Sequence, residues 1–317
     1  MGGQPLLVTG LPRSGTSWVG KMLEASGEVV YINEPLNPQH PPGHSPGVLD
    51  ATVEHRYHYI CADNEAPWLR AFADTFRLRY KPVAEVRRNR AAYDLARMGK
   101  YATSFTVGRL KGRRAMLDDP WATVSIPWFA NRMDCQAVVM VRRPESFAGS
   151  WRKLGWRVEF ADLLAQPLLL RDVLGSYEAE MRSLLDSDDW VAQISLLWRA
   201  MYAAVADLHD TVPGLILVRY EDLAARPVAG FRALYDQLGL TWSDRVERLL
   251  VKNTTAADSS RVFGWNLRGG LSRTGFRPMD SQQSLTSYRK QLSEDEVDRI
   301  CGLTADVATR IYGPGAG

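Results

Sequence analysis

The sequence predicts an α/β fold of three layers around a central parallel sheet. Short, wholly apolar runs alternate with helical patterns. The first such run is followed at once by a Gly/Ser-rich turn and a helix, and a charge balance near neutral accompanies an ordinary hydrophobic content. Apolar residues make up 45% of the 317 and charged residues 24%, enough for a sizeable core and against disorder. Basic and acidic residues number 39 and 36, so nothing marks a nucleic-acid binder and any anion site must be local.

Leu6-Leu7-Val8-Thr9 ends in Gly10 and reads as a buried strand of a parallel sheet. Trp18, Val19, Met22 and Leu23 then mark one face of a helix, and Val29-Val30-Tyr31-Ile32 a second strand. Strand, helix and strand within about thirty residues form a βαβ unit. Residues 36–50 crowd Pro38, Pro41, Pro42, Gly43, Pro46 and Gly47 into a loop over the site. From Val53 to Ala115 strand signals are weak, which predicts a mostly helical insertion binding an acceptor.

Ala137 to Val141 is the clearest strand, with Pro144 suited to the first turn of a helix. A helix is expected through Leu196, Leu197, Met201, Val205 and Leu208, then a strand over Leu215 to Val218. The polar stretch 252–287 reads as loop-rich. Ser293 with Glu296 is a capping box opening a last helix toward Ala308. These elements predict a single domain over residues 1–317.

Gly10-Leu11-Pro12-Arg13-Ser14-Gly15-Thr16-Ser17-Trp18 joins the first strand to the first helix. Glycines let successive N–H groups turn inward, and the helix adds its positive end, so the loop suits a phosphate. Hydroxyls of Ser14, Thr16 and Ser17 offer further donors. The fold is therefore P-loop-like, but Thr16 stands where a Walker loop has Lys, and Arg13 is the loop's only cation. The strand at Val141 ends in Arg142-Arg143, not in a magnesium-binding acid, although Glu221-Asp222 leave a metal conceivable at another strand end.

These residues resemble the sulfotransferases that use 3′-phosphoadenosine 5′-phosphosulfate (PAPS), in their bacterial and Golgi-carbohydrate branch. Leu11 to Trp18 looks like the family's 5′-phosphosulfate loop, with Trp18 placed to stack on adenine. Arg142 with Ser150, eight positions on, resembles the 3′-phosphate motif, whereas Arg143 falls opposite Trp151. Tyr220-Glu221-Asp222-Leu223 matches a recurrent tetrapeptide whose Tyr approaches the adenine, and is read equally well as a structural cluster. Asp119-Pro120 with Ser125 and Trp128-Phe129, and Tyr288 to Ser293, are weaker echoes.

One departure stands out. Many relatives carry Lys just before Asp-Pro, and this chain has Asp118, leaving Arg13 alone or Lys111 to replace that cation.

The resemblance implies transfer of a sulfuryl group from PAPS to a hydroxyl or amine of a small-molecule or glycan acceptor, releasing 3′-phosphoadenosine 5′-phosphate (PAP) and needing no metal. It implies Glu34 as general base, after the second strand and kept at its edge by Pro35. His40 and His44 are rival bases, while Arg87-Arg88-Asn89-Arg90 and most tryptophans read as surface and core. Two alternatives stay open: a magnesium-dependent phosphotransferase using ATP, and an inactive nucleotide-binding protein of the same fold. Cys61, Cys135 and Cys301 fit no metal spacing, no apolar run is long enough to span a membrane, and no signal segment opens the chain. A cytoplasmic location is expected.

Overall fold

The structure, a computed structural model, describes residues 3–38, 51–88, 92–209, 211–254 and 281–314. Five strands form one sheet: β1 (Leu6–Thr9), β2 (Val29–Asn33), β3 (Arg114–Asp118), β4 (Gln136–Val141) and β5 (Ile216–Arg219). Their order is β2-β3-β1-β4-β5 and every pairing is parallel. Leu7, Leu117, Val139 and Val141 face one core, shared with helices that include Trp190–His209. Leu6, Val8, Met116, Val138 and Met140 face the other, against α1 (Thr16–Glu24) and the helix Pro227–Gln237. Alternate residues thus serve opposite layers, which is why the strand centres are apolar on both faces. Each such Leu or Val contributes about 1.5–3 kcal/mol by leaving water.

β3 corrects the sequence reading in two ways. Residues 53–115 do hold α2 (Ala66–Phe76), α3 (Pro82–Arg88) and α4 (Ala92–Leu110), but the chain then enters a strand at Arg114. That strand lies between β2 and β1, so one strand stands between the strand before Glu34 and the strand before the loop. The stretch 252–287 is helical at both described ends, to Thr254 and again over Ser281–Thr286, and residues 255–280 lie outside the described residues. The last helix, Glu294–Tyr312, carries the expected capping box, and Pro144 opens α6 (Pro144–Leu154) as its first residue.

From β1 the chain runs outward to β2, and from β4 it runs the other way to β5. The order therefore reverses between β1 and β4, and at the carboxyl ends of these strands a crevice opens where ligands bind in open α/β sheets. No helix among the described residues is long and apolar enough to cross a membrane.

Candidate active site

The loop after β1 is locked into its curve by steric necessity. A Cβ on Gly10 would stand 2.2 Å from the Met140 carbonyl oxygen, and one on Gly15 would stand 2.8 Å from the Tyr220 ring. Gly15 (φ 106°) and Arg13 (φ 80°) both lie in the left-handed region, free for Gly and costly for Arg. The Tyr202 hydroxyl accepts from the Leu11 N–H (3.3 Å) and donates to the Met140 carbonyl (3.0 Å), and Trp151 Nε1 donates to the Pro12 carbonyl (3.0 Å). No side chain caps α1 and its first turn carries no acid, so its leading N–H groups are left for an anion.

The structure sorts the loop's hydroxyls differently from the sequence. Ser14 is buried, and its N–H closes a turn onto the Leu11 carbonyl (3.0 Å). Its hydroxyl sits near Gly10, under the loop. Thr16 and Ser17 stand beside the Asp118 carboxyl. Trp18 packs edge-on to Tyr220 (5.8 Å between ring centres) and Phe231 (5.1 Å).

The arginines converge. Arg142, at the end of β4, donates Nη1 to the Arg13 carbonyl (3.1 Å) and Nη2 to the Ser284 carbonyl (3.4 Å), and its guanidinium lies 4.4 Å above the Tyr220 ring. Tyr220 and Ser284 share a hydroxyl hydrogen bond of 2.6 Å. Ser150 does not bond Arg142; its hydroxyl accepts from Arg13 Nε (3.1 Å). Burial first, then the positive charge of Arg142, pull Arg13 below the usual guanidinium range. Among the described residues neither arginine forms an ion pair with a carboxylate. Two adjacent, largely buried cations are costly, and a bound anion offsets that cost.

Gly149 lets the closing segment approach α6, since a Cβ there would stand 2.7 Å from Tyr288 Cα. Ser150 is thereby held next to the segment that also supplies Ser284. Arg143 stands aside: its N–H donates to Glu221 Oε1 (2.9 Å), and Glu221 Oε2 accepts from the Tyr312 hydroxyl (3.1 Å).

Carboxylates occupy the other side of the crevice. Glu34 follows β2 in the left-handed region (φ 43°), not in the extended conformation expected at a strand edge. Its N–H donates to the Asp118 carbonyl (2.8 Å), and Asn37 Nδ2 donates to Glu34 Oε2 (2.5 Å). Burial pushes the Glu34 carboxyl up, while the Asn37 amide and the nearby Trp121 indole hold it partly down. His40 and His44, the rival bases, lie outside the described residues, as do the side chains of Arg87 to Arg90.

Asp119 is a residue whose role sequence reasoning missed. Its Oδ1 accepts from the Trp121 N–H (3.0 Å), capping the turn Pro120–Ser125, and its Oδ2 accepts from the Leu36 N–H (2.6 Å). It thus ties the turn that carries Glu34 to the end of β3. The pair Asp-Pro at a strand end, an N-cap followed by Pro, was the available signal.

Asp118 is fully buried and accepts a hydrogen bond from the Tyr31 hydroxyl. Burial raises its carboxyl from 3.8 to about 7, against the Tyr31 hydrogen bond and with help from the Glu34 charge. No cation replaces it from Lys111, which precedes β3 at the opposite, amino-terminal end of the strands, beside Gly27 and Glu28. The unfolded chain ionises at its ordinary value while the fold keeps the proton until about 7. Stability attributable to this group therefore falls as pH rises through that interval and is lowest above it, at about 1.4 kcal/mol per pH unit of the interval. Asp118→Asn should raise the melting temperature by several degrees at pH 8 and by well under half as much at pH 5. Thermal scans at both values check this; an equal change at both would remove the titration argument.

Comparison with known proteins places this arrangement in context. Residues 5–244 match the family model described as Sulfotransferase family. Among solved structures, the sulfotransferase domain from the curacin biosynthetic pathway aligns over 96% of this chain and 99% of its own. It shows 12% identity and a TM-score of 0.48. The sulfotransferase domain of the Synechococcus PCC 7002 olefin synthase covers 94% of both chains at 13% identity and 0.41. Sulfotransferase STF1 from Mycobacterium tuberculosis H37Rv covers 79% of this chain and 71% of its own at 19% and 0.38. No curated protein matches the chain. With the family model spanning the sheet from β1 to β5, the chain belongs to the sulfotransferase family.

Proposed function

We propose that the protein transfers a sulfuryl group from PAPS to a hydroxyl or amine of a small-molecule or glycan acceptor. The observation that carries this is the pair Arg13 and Arg142, adjacent, in no ion pair with a carboxylate among the described residues, and flanking the reversal point of the sheet. Their neighbours fit the two phosphate groups of this donor. The uncapped start of α1 with Arg13 suits the 5′-phosphosulfate, and Arg142 with Ser150 and Ser284 suits the 3′-phosphate. Tyr220, buried beneath Arg142 with Trp18 edge-on beside it, would back the place for the adenine.

The donor supplies an electrophilic sulfur. Glu34 takes the proton from the acceptor hydroxyl as its oxygen bonds to that sulfur, and the bond from sulfur to the bridging phosphate oxygen breaks. The electron pair passes to the departing 5′-phosphate, where Arg13 and the α1 N–H groups meet the growing charge.

The nucleotide preference tests the reading. Calorimetry should show PAP binding much better than ADP, because only PAP carries a 3′-phosphate. Charge-assisted hydrogen bonds of this kind contribute about 1.5–3 kcal/mol each, roughly ten- to a hundredfold in affinity. Arg142→Ala should remove most of that preference. Equal affinity of the native protein for PAP and ADP would sink the donor assignment. A metabolite extract incubated with protein and PAPS, searched by mass spectrometry for an added sulfuryl group, then identifies the acceptor.

A further inference from the structure

The cations of the site lie on its nucleotide side and the carboxylates on its acceptor side. A sulfuryl group passing between them would turn some of its oxygens toward Glu34, Asp118 and Asp119. Arg56 on that wall is turned to Glu159 and Asp162 (3.7 and 3.9 Å). His58, against Trp68 with 4.8 Å between ring centres, is held down to about 4 by burial and is neutral in ordinary buffers.

Two neutral donors stand there instead. Tyr57 is 4% exposed and its buried hydroxyl has no hydrogen-bond partner. The Trp121 indole N–H lies beside Glu34 but completes no hydrogen bond. Their rings are 5.1 Å apart. Tyr57 shares one buried core with Leu11 of the loop, with Leu36 of the turn after Glu34 and with Tyr202, the residue that holds Leu11. That core reaches both the loop and the turn that carries the base.

Its backbone is strained and held so. Tyr57 has φ 54°, and three of the five described non-glycine residues at positive φ are Arg13, Glu34 and Tyr57. Gln166 Nε2 donates to the Tyr57 carbonyl (3.3 Å), and Ser125 Oγ donates to the His58 carbonyl (2.9 Å) and accepts from the Ile60 N–H (2.9 Å). Strain that surrounding bonds enforce, together with an unsatisfied buried hydroxyl, costs stability and marks a residue kept for a ligand.

We propose that the Tyr57 hydroxyl donates a hydrogen bond to an oxygen of the transferred sulfuryl group, with the Trp121 N–H as its neighbour. The inference rests on the PAPS reading above. A neutral donor suits this place, because an ammonium so close to Glu34 would pull its carboxyl down and weaken it as a base.

The experiment needs no acceptor. PAPS and PAP are titrated by calorimetry into the native protein and Tyr57→Phe, and melting temperatures are recorded on the same preparations. Tyr57→Phe should weaken PAPS about tenfold, change PAP less than twofold, and melt no lower than the native protein, since the hydroxyl removed satisfied nothing. Unchanged PAPS affinity overturns the proposal, and so does an equal loss for both nucleotides with a lowered melting temperature, the mark of a packing role. Native protein that binds neither nucleotide would instead bring down the donor assignment itself.

Discussion

Glu34→Gln should lower single-turnover sulfation by about 10²–10⁴-fold while PAP affinity stays unchanged, the range expected when a general base is lost. Glutamine keeps the shape and can still accept from Asn37 Nδ2, so the turn after β2 should persist. Three bonds hold that turn independently of the carboxylate. Glu34 N–H reaches the Asp118 carbonyl, Leu36 N–H reaches Asp119 Oδ2, and Asn37 N–H reaches the Glu34 carbonyl (3.1 Å). Burial raises the Glu34 carboxyl above the ordinary carboxylate value, which strengthens it as a base. The rate should therefore rise with pH along an acid limb displaced above the ordinary carboxylate value of 4.5, and the variant should lack that limb. Because Glu34, Asp118 and Asp119 share one buried edge, the limb reports the coupled group. His40→Ala and His44→Ala should have much smaller effects. Near-full activity in Glu34→Gln, or inactivity in either His variant, would move the base to the loop.

The loop and the basic end of β4 were legible because their signals are local: Gly10 and Gly15 at loop spacing, and Arg142-Arg143-Pro144 closing an apolar run. β3 was not legible. Arg114-Ala115-Met116-Leu117-Asp118 has a charge at each end and follows Lys111-Gly112-Arg113, so only three apolar residues mark this strand. Missing it hid two facts about the site. It stands between the strand before Glu34 and the strand before the loop, and it buries Asp118 beside Thr16, Ser17 and Tyr31, where the sequence suggested only an absent lysine. Pairings across long sequence separations were equally silent. Ser150 shares eight-residue spacing with Arg142, yet bonds Arg13 from 137 positions away. Tyr202 and Ser284 reach the site by packing, with no motif of their own. Pro35 was a correct sign that Glu34 leaves the right-handed helical region, but it did not distinguish extended backbone from the φ of 43° observed.

Arg13→Ala should reduce turnover by about 10²–10³-fold, the loss seen when one preorganised donor to developing charge is removed, with a much smaller loss of PAP affinity. The asymmetry follows from where charge grows. PAP carries its phosphates fully charged, and Arg142, Ser284 and the α1 N–H groups remain to bind them. The bridging oxygen gains charge only as the sulfur departs, so a cation at Arg13 acts mainly in the transition state. Arg142→Ala should show the reverse pattern, losing affinity more than rate. Removing Arg13 should not destabilise the free protein, because its buried charge stands against that of Arg142, in no ion pair with a carboxylate among the described residues. Its backbone needs a separate control, since φ 80° strains alanine as it strains arginine. Arg13→Gly relieves that strain and removes the same side chain. Equal turnover in the Ala and Gly variants assigns the loss to the guanidinium, whereas recovery in Gly would assign it to the shape of the loop. Rate and PAP affinity falling together in both variants would make Arg13 an anchor for the phosphate already charged in the ground state. Activity of the native protein should also survive EDTA; loss restored by magnesium would favour phosphoryl transfer over sulfuryl transfer at this pair of arginines.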